Sequence, residues 1–295
     1  MKKVLITGAE SFLGVSVEKY IKEHYSSELS VDTISLLDHK WRNTSFSSYD
    51  VVYHVAGLAH ADVSNLTEEE KDWYYSINTD LAIETATKAK KDGIKHFVFM
   101  SSILVYGDSA PHGKLKMITP DTMPSPSNIY GDSKLKAEQG ILELSDDGFI
   151  VSVLRPPMIY GKGSKGNYPV LSRMAGKYPL FPNIRNQRSM LYIENFCEFF
   201  CQMILAERSG IFYPQNHDYV STSDMVRIIA DVKGHKILIG RAFNWIVSLA
   251  SLIPGKTRNM ANKAFGSLCY EKDMSKYDFD YQSVDFEESI RRTES

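Results

Sequence analysis

Cysteine is scarce. The 295-residue chain has three, an odd number too small for a paired disulfide framework. Cys197 and Cys201 stand four apart in the apolar run NFCEFFCQMIL, where a helical core position is expected. No His, Cys or carboxylate cluster has metal-ligand spacing, and the eight histidines are scattered, so no metal site is expected. An excess of positive charge is missing as well: 34 basic residues stand against 36 acidic ones, and the pI is near 6.5. That balance leaves nothing to neutralise a nucleic-acid backbone or an anionic bilayer. A small-molecule substrate is expected, with neither nucleic acid nor membrane as partner. Long apolar runs are lacking too. In MKKVLITGAESFLG the apolar start is broken by Thr7, Gly8 and Glu10, too soon for a signal-peptide core, which points to the cytoplasm. The most apolar late segment, AFNWIVSLASLIPG at 242–255, is too short to cross a bilayer and ends at Pro254. A packed helix is expected there, with peripheral membrane contact as the alternative. No internal repeat or low-complexity tract occurs.

What is present is 43% hydrophobic content, enough for a substantial core, arranged in a regular alternation. KKVLIT reads as a buried strand and FLGVSVEKYIKEHY as a helix. VDTISLL, DVVYHVAG, KHFVFMSS and FIVSVLRPPMIYG are further apolar strands, and YYSINTDLAIETATKAKKDG is a helical stretch ending at Gly93. Another helix holds Tyr130 and Lys134, is capped by Ser127 or Asn128, and stops near Asp146-Asp147-Gly148. Strands buried on both faces and alternating with helices predict an α/β fold, a doubly wound parallel sheet. Only about a dozen residues separate the second strand from Asp50, so the usual third strand and its helix are abbreviated or missing. From about residue 161 the texture changes to Gly-, Pro- and Asn-containing loops with short helices at 190–206 and 222–232. The expected division is a dinucleotide-binding domain over 1–160 and a smaller C-terminal substrate lobe over 161–295, interleaved with the last sheet elements.

In an open parallel sheet, ligands bind beyond the carboxyl ends of the strands, and the first strand-to-helix turn is the natural phosphate site. Here that turn is TGAESFLG. Gly8 permits a tight turn and close backbone approach to a pyrophosphate, Gly14 lets the helix pack on the sheet, and the helix N-terminus supplies positive potential. Ser11 stands where a middle glycine is usual. Asp38, in SLLDHK, is placed to accept hydrogen bonds from an adenosine ribose, which favours NAD; Lys40 and Arg42 are near enough to hold a 2'-phosphate, which makes NADP the alternative. FVFMSSILVYG sets Ser101 and Ser102 at the edge of the same cleft, where their hydroxyls can orient a substrate oxygen. In NIYGDSKLKAE, Lys134 lies one helical turn from Tyr130, where its charge favours phenolate and lowers the phenol's pKa toward neutrality. A Tyr-x-x-x-Lys spacing is weak alone; its weight comes from following the turn and the serines in that order.

Taken together, TGxxxFLG, HVAG, SSxxVYG, YGDSK and RPPMIYG resemble the extended short-chain dehydrogenase/reductase (NAD-dependent epimerase/dehydratase) family, nucleotide-sugar type, over essentially the whole chain. The resemblance implies a Rossmann domain in which Tyr130 and Lys134 are the catalytic pair and Ser102 orients the substrate. It also implies that Gly8, Ser11, Phe12, Leu13, Gly14, Asp38, Ala56, Gly57 and Asn78 lie along the cofactor, joined by Tyr130 and Lys134. KGNYPVL and NQRSMLYIENF resemble the segments that grip a uridine diphosphate, so Asn167 and Arg188 are implied substrate ligands. The implied function is redox chemistry at C4 of a UDP-sugar in bacterial surface-polysaccharide precursor synthesis. The first reading is reduction of a UDP-4-keto-6-deoxy-N-acetylhexosamine; the alternative is a UDP-glucose or UDP-N-acetylglucosamine 4-epimerase with tightly bound NAD. After residue 255, Arg258 is the one candidate for the second phosphate-binding arginine of the epimerases. A reading from another class, a non-catalytic dinucleotide-binding regulator or scaffold, is opposed by the intact Ser102, Tyr130 and Lys134. A homodimer is implied as well.

Overall fold

Apolar side chains alternate between two cores along each central strand. Val4 and Ile6 enter one core with Val98 and Met100, while Leu5 enters the other with Phe97 and Phe99. A period of two with both faces buried is why these strands read as continuous apolar runs. The computed structural model describes residues 1–59, 66–253 and 255–295; Pro254, the expected end of the late apolar segment, lies outside them. Six strands form the main sheet: β1 Lys2–Thr7, β2 Leu29–Ile34, β3 Val51–His54, β4 His96–Met100, β5 Ile150–Leu154 and β6 Gly210–Phe212. Their order is β6-β5-β4-β3-β1-β2, and every pairing is parallel.

The helices are α1 Phe12–His24, α2 Glu68–Tyr75, α3 Leu81–Lys91, α4 Ile129–Leu142, α5 Asn167–Lys177, α6 Ile193–Leu205, α7 Thr222–Val232, α8 Asn244–Leu252, α9 Lys256–Phe265 and α10 Phe286–Glu294. Val17 and Ile21 of α1 and Phe196 and Phe200 of α6 cover one face of the sheet, and Ala82, Ala86, Ala137 and Ile141 of α3 and α4 cover the other. Cys197 and Cys201 are buried in α6, as expected of core positions. The sixth strand of the sheet lies beyond residue 160 and follows α6.

Between β2 and β3 there is one short 3-10 helix, His39–Asn43, and among the described residues no strand lies beyond β2. Trp41 and Phe46 from this connection are buried in the cluster that holds Leu5 and Val52, and so cover part of the face that a longer connection would shield. The helical stretch expected to run to Gly93 is broken by a π-helical turn, Ser76–Asp80, between α2 and α3.

The packed helix expected at 242–255 needs correction. Of α8, only Val247 is buried, while Trp245, Ile246, Leu249 and Leu252 are exposed, as is Ile253 just after it. The helix is docked by its end rather than by its apolar face: the Asn244 side chain accepts from the Asn183 N–H and donates to the Asn183 carbonyl, both at 2.9 Å.

The helix that carries Tyr130 is placed by contact with the turn that carries Ser102. Asn128 caps α4 by accepting the Gly131 N–H at 3.0 Å. A Cβ on Gly131 would overlap the Leu104 carbonyl oxygen and lie 2.9 Å from its carbon. Gly131→Ala should therefore force the two segments apart and lower stability by about 1–3 kcal/mol in chemical denaturation. Gly176→Ala in α5, where only the flexible Lys233 side chain is near, should cost nothing. Equal effects of the two substitutions would show that this seam is not tightly packed.

Candidate active site

The chain leaves β1 through a turn pressed against the exit of β3. Gly8 has φ +86°, and a Cβ there would lie 2.8 Å from the Ala56 nitrogen. Since β1 connects to β2 on one side and is flanked by β3 on the other, this contact marks the crevice where connections diverge, the natural ligand site of such a sheet. Ser11, in place of a middle glycine, has an ordinary extended backbone at φ −74° and caps α1 by accepting the Gly14 N–H at 2.9 Å. Among the described residues the N–H groups of Phe12 and Leu13 find no backbone acceptor, so a pair of donors opens the helix. Donors at a helix N-terminus beside a glycine cradle fit a pyrophosphate.

Asp38 lies past the end of β2, exposed, and accepts the Lys40 N–H at 3.0 Å to cap the 3-10 helix. Arg42 is engaged elsewhere. Its guanidinium pairs with Glu84, with one N–H donating to Oε2 at 2.7 Å, and lies over the Trp41 ring at 4.8 Å. Taking a 2'-phosphate with Arg42 would mean breaking that pair.

After β3, Ala56 and Gly57 lead into a segment that Asn78 holds. The Asn78 side chain accepts the Leu58 N–H at 2.7 Å and donates to the Leu58 carbonyl at 3.1 Å and to Ser133 Oγ at 3.2 Å. It sits in the π-helical turn, a device often found at functional sites. Its amide is thus engaged by the protein and shapes the wall beside Gly57. A Cβ on Gly57 would lie 2.9 Å from Asn78 Oδ1 and 3.3 Å from Lys134 Nζ.

Lys134 is buried over the Phe99 ring, 4.7 Å from its centre, and its ammonium makes no hydrogen bond among the described residues. Burial pulls its pKa down to about 8, against the opposing pull of the Glu138 carboxylate. A buried ammonium with unused donors beside Gly57 is the second feature that fits a bound dinucleotide. His54, at the end of β3, is neutral: burial and then the Lys134 charge hold its pKa near 3, and its Nδ1 lies 3.0 Å from Thr7 Oγ1.

Ser102 and Tyr130 meet, and both are half-buried. Ser102 accepts the Leu104 N–H at 3.2 Å, and its hydroxyl lies close enough to Tyr130 to bear on the phenol's titration. The expected lowering of the phenol's pKa by Lys134 is not found: burial pushes the pKa up, and the neighbouring Ser102 hydroxyl is the influence that opposes it. Ser101 does not line the cleft. It is buried and its hydroxyl donates to Glu138, whose carboxylate also takes Arg155 at 3.0, 3.1 and 2.5 Å. Arg155 donates in turn to the Tyr106 hydroxyl at 2.7 Å. This buried pair was not anticipated; its signals were the Lys134–Glu138 helical spacing and an arginine ending an apolar strand in VSVLRPP.

Arg188 is half-buried and has no carboxylate partner among the described residues. It donates to the Lys263 carbonyl at 2.7 Å and to Ser109 Oγ at 3.3 Å, and burial draws its pKa down. Asn167 opens α5 after Gly166, and no side-chain hydrogen bond ties it to the other candidates. Arg258 is exposed on α9 and donates to the Leu252 carbonyl. Among the described residues no group of three or more His, Cys, Asp or Glu is placed to hold a metal ion, and no helix is long and apolar enough to cross a membrane.

The NAD dependent epimerase/dehydratase family profile matches residues 4–220. UDP-glucose 4-epimerase of Vibrio cholerae is 29% identical over 250 residues, which cover 78% of this chain and 75% of that protein. N-acetyl-alpha-D-glucosaminyl-diphospho-ditrans,octacis-undecaprenol 4-epimerase of Escherichia coli O157:H7 is 25% identical over 252 residues, 78% of this chain and 71% of that protein. In structure, a dTDP-4-dehydrorhamnose reductase from Clostridium acetobutylicum aligns with a TM-score of 0.74 at 18% identity over 99% of this chain and 98% of the other, a likeness of fold.

The buried ammonium has a measurable signature. Lys134 stays protonated to its ordinary value of 10.5 in the unfolded chain but only to about 8 in the folded, cofactor-free one. Between those values the unfolded state binds more protons, so stability rises with pH across that window. Relative to Lys134→Met, which carries no titrating group there, the wild type should gain on the order of 3 kcal/mol between pH 8 and 10.5. Parallel stability curves for the two proteins would show that the ammonium is not buried as described.

Proposed function

The chain belongs to the NAD dependent epimerase/dehydratase family, and from that premise we propose that it moves hydride at C4 of a UDP-sugar, as a 4-epimerase acting in the cytoplasm on surface-polysaccharide precursors. The observation that carries the reading is the meeting of Ser102 and Tyr130 beside the buried Lys134, at the carboxyl end of the sheet and next to Gly57. C4 is favoured because the Vibrio cholerae and Escherichia coli relatives described above are named as 4-epimerases. The 4-keto reductase reading uses the same residues and differs in the fate of the cofactor, which a reductase consumes and an epimerase retains.

Bound NAD would supply the hydride acceptor and donor for the C4 carbon. Tyr130 takes the proton from the C4 oxygen and gives it back, which requires the phenol to reach phenolate despite burial. Ser102 orients that oxygen. Lys134 offers its unused N–H donors toward the cofactor ribose. Asp38 takes the adenosine ribose, which favours NAD over NADP; of Lys40 and Arg42, the two cations near enough to hold a 2'-phosphate, Arg42 is held by Glu84. Arg188 binds the diphosphate and Asn167 the uridine side. The Escherichia coli relative acts on a sugar whose diphosphate is joined to undecaprenol, so the diphosphate is the element that the two substrates share.

Mass analysis of nucleotide released from the purified protein, followed by turnover on UDP-glucose, UDP-N-acetylglucosamine and a UDP-4-keto-6-deoxy sugar, tests the proposal. Retained NAD with interconversion of C4 epimers is expected, and Tyr130→Phe should lower turnover by at least about 10²-fold while UDP binding survives. Consumption of added NADH or NADPH by the keto sugar alone would replace epimerisation by reduction. No turnover on any of these sugars would remove C4 chemistry. Arg188→Ala should weaken UDP binding in calorimetry by about 1.5–3 kcal/mol, as loss of charge-assisted hydrogen bonds predicts. Unchanged UDP affinity would take Arg188 out of the site.

A further inference from the structure

The helical hairpin of α8 and α9 turns its apolar side outward. Trp245, Ile246, Leu249, Leu252, Ile253 and, on α9, Met260 are 60, 50, 51, 70, 53 and 63% exposed. At 100° per residue Trp245, Ile246, Leu249 and Leu252 of α8 fall within one arc of about 120°, and Val247, the buried residue of α8, points the opposite way. An apolar stripe of this width normally faces a core. Here it faces away from one.

Charge says what kind of surface would cover it. From Arg241 to Lys263 the chain carries Arg241, Lys256, Arg258 and Lys263 and not one acidic residue, although the whole chain carries a net charge of −2. Arg241, Arg258 and Lys263 are exposed, and none of the three pairs with a carboxylate among the described residues. Tryptophan and long aliphatic side chains set among unpaired cations match the boundary between anionic headgroups and acyl chains. A second copy of this chain seated face to face would instead bring like charges together.

We propose that the α8–α9 hairpin docks this protein on an anionic lipid bilayer, lying in the headgroup plane with Trp245, Leu249 and Leu252 inserted and the basic residues on the phosphates. Too short to span, the hairpin is a reversible surface anchor. Because the Lys263 carbonyl holds the Arg188 guanidinium at 2.7 Å, docking sets the Arg188 wall of the candidate site close to the membrane. The proposal stands on the hairpin's own composition and exposure, independently of which sugar the protein converts.

Co-sedimentation of the full-length protein with vesicles tests it. Wild type should partition at least about tenfold more onto mixed phosphatidylglycerol and phosphatidylcholine vesicles than onto phosphatidylcholine alone, and high salt should reduce the difference. The triple variant Trp245→Ser, Leu249→Ser, Leu252→Ser should lose binding to the mixed vesicles. Should that variant fail to fold, Arg241→Glu leaves the apolar face intact and should weaken binding to the anionic vesicles about fivefold per unit of charge. Equally weak partition of wild type onto both vesicle types would overturn the proposal. So would a wild-type dimer that the triple variant converts to monomer in analytical ultracentrifugation, since a second copy would then be what covers this face.

Discussion

Burying an ammonium group without a hydrogen-bond acceptor costs several kcal/mol unless its surroundings compensate, and α4 holds such a group in Lys134. Two features ease the burial. The Phe99 ring presents its face at 4.7 Å, and Glu138, one turn further along the same helix, supplies negative potential. Both work only if α4 is held in one position, and the structure fixes it from several sides. Gly131 abuts Leu104, Asn78 donates to Ser133 Oγ, and Thr79 Oγ1 donates to the Ser133 carbonyl at 2.8 Å. Tyr130, one turn before Lys134, is thereby brought to Ser102.

The Glu138–Arg155 pair extends this constraint into the rest of the molecule. Ser101 at the end of β4 donates to Glu138, Arg155 follows β5, and the Tyr270 hydroxyl donates to the Arg155 carbonyl at 2.8 Å. A single buried ion pair therefore joins two central strands, the helix with Tyr130 and a segment near the end of the chain. Such a pair brings little net stability against a well-packed apolar replacement, but losing one member would leave an uncompensated charge in the core. Its value here is positional: the carboxylate that tempers Lys134 cannot move without unpairing Arg155.

Much of this was legible in the sequence where local pattern and burial agree. The apolar strands, the Gly8 turn, a cap at Ser127 or Asn128 and the helical spacing of Tyr130 and Lys134 follow from residue type and spacing, while the choice of Ser102 came from the family resemblance. What was not legible depended on partners distant in sequence. Ser101 and Ser102 are adjacent and chemically identical, yet one donates to Glu138 in the core and the other lies beside Tyr130, because successive side chains leave an extended segment on opposite faces. The raised phenol pKa escaped for a similar reason: helical spacing brings Lys134 within a turn of Tyr130, but the ammonium lies over Phe99. Arg42 looked free to hold a phosphate until Glu84, 42 residues away, was found to engage it.

The apolar segment at 242–255 shows a different limit, that of averages. A chain with nearly balanced charge lacks the excess that membrane binding draws on, and that inference is sound for the molecule taken whole. Screening confines surface electrostatics to about 8–10 Å at ordinary ionic strength, so a bilayer responds to the charge of the face it meets. Over 241–263 the segment carries basic residues and no acidic one, and the acidic residues that balance it lie elsewhere in the chain. Exposure follows from the same composition: Asn244 fastens the start of α8 through its amide, and the apolar arc beyond it has no covering element among the described residues. The carbonyl of Lys263, on the companion helix, receives the Arg188 guanidinium, so whatever surface meets the hairpin also bears on the residue proposed to bind the diphosphate.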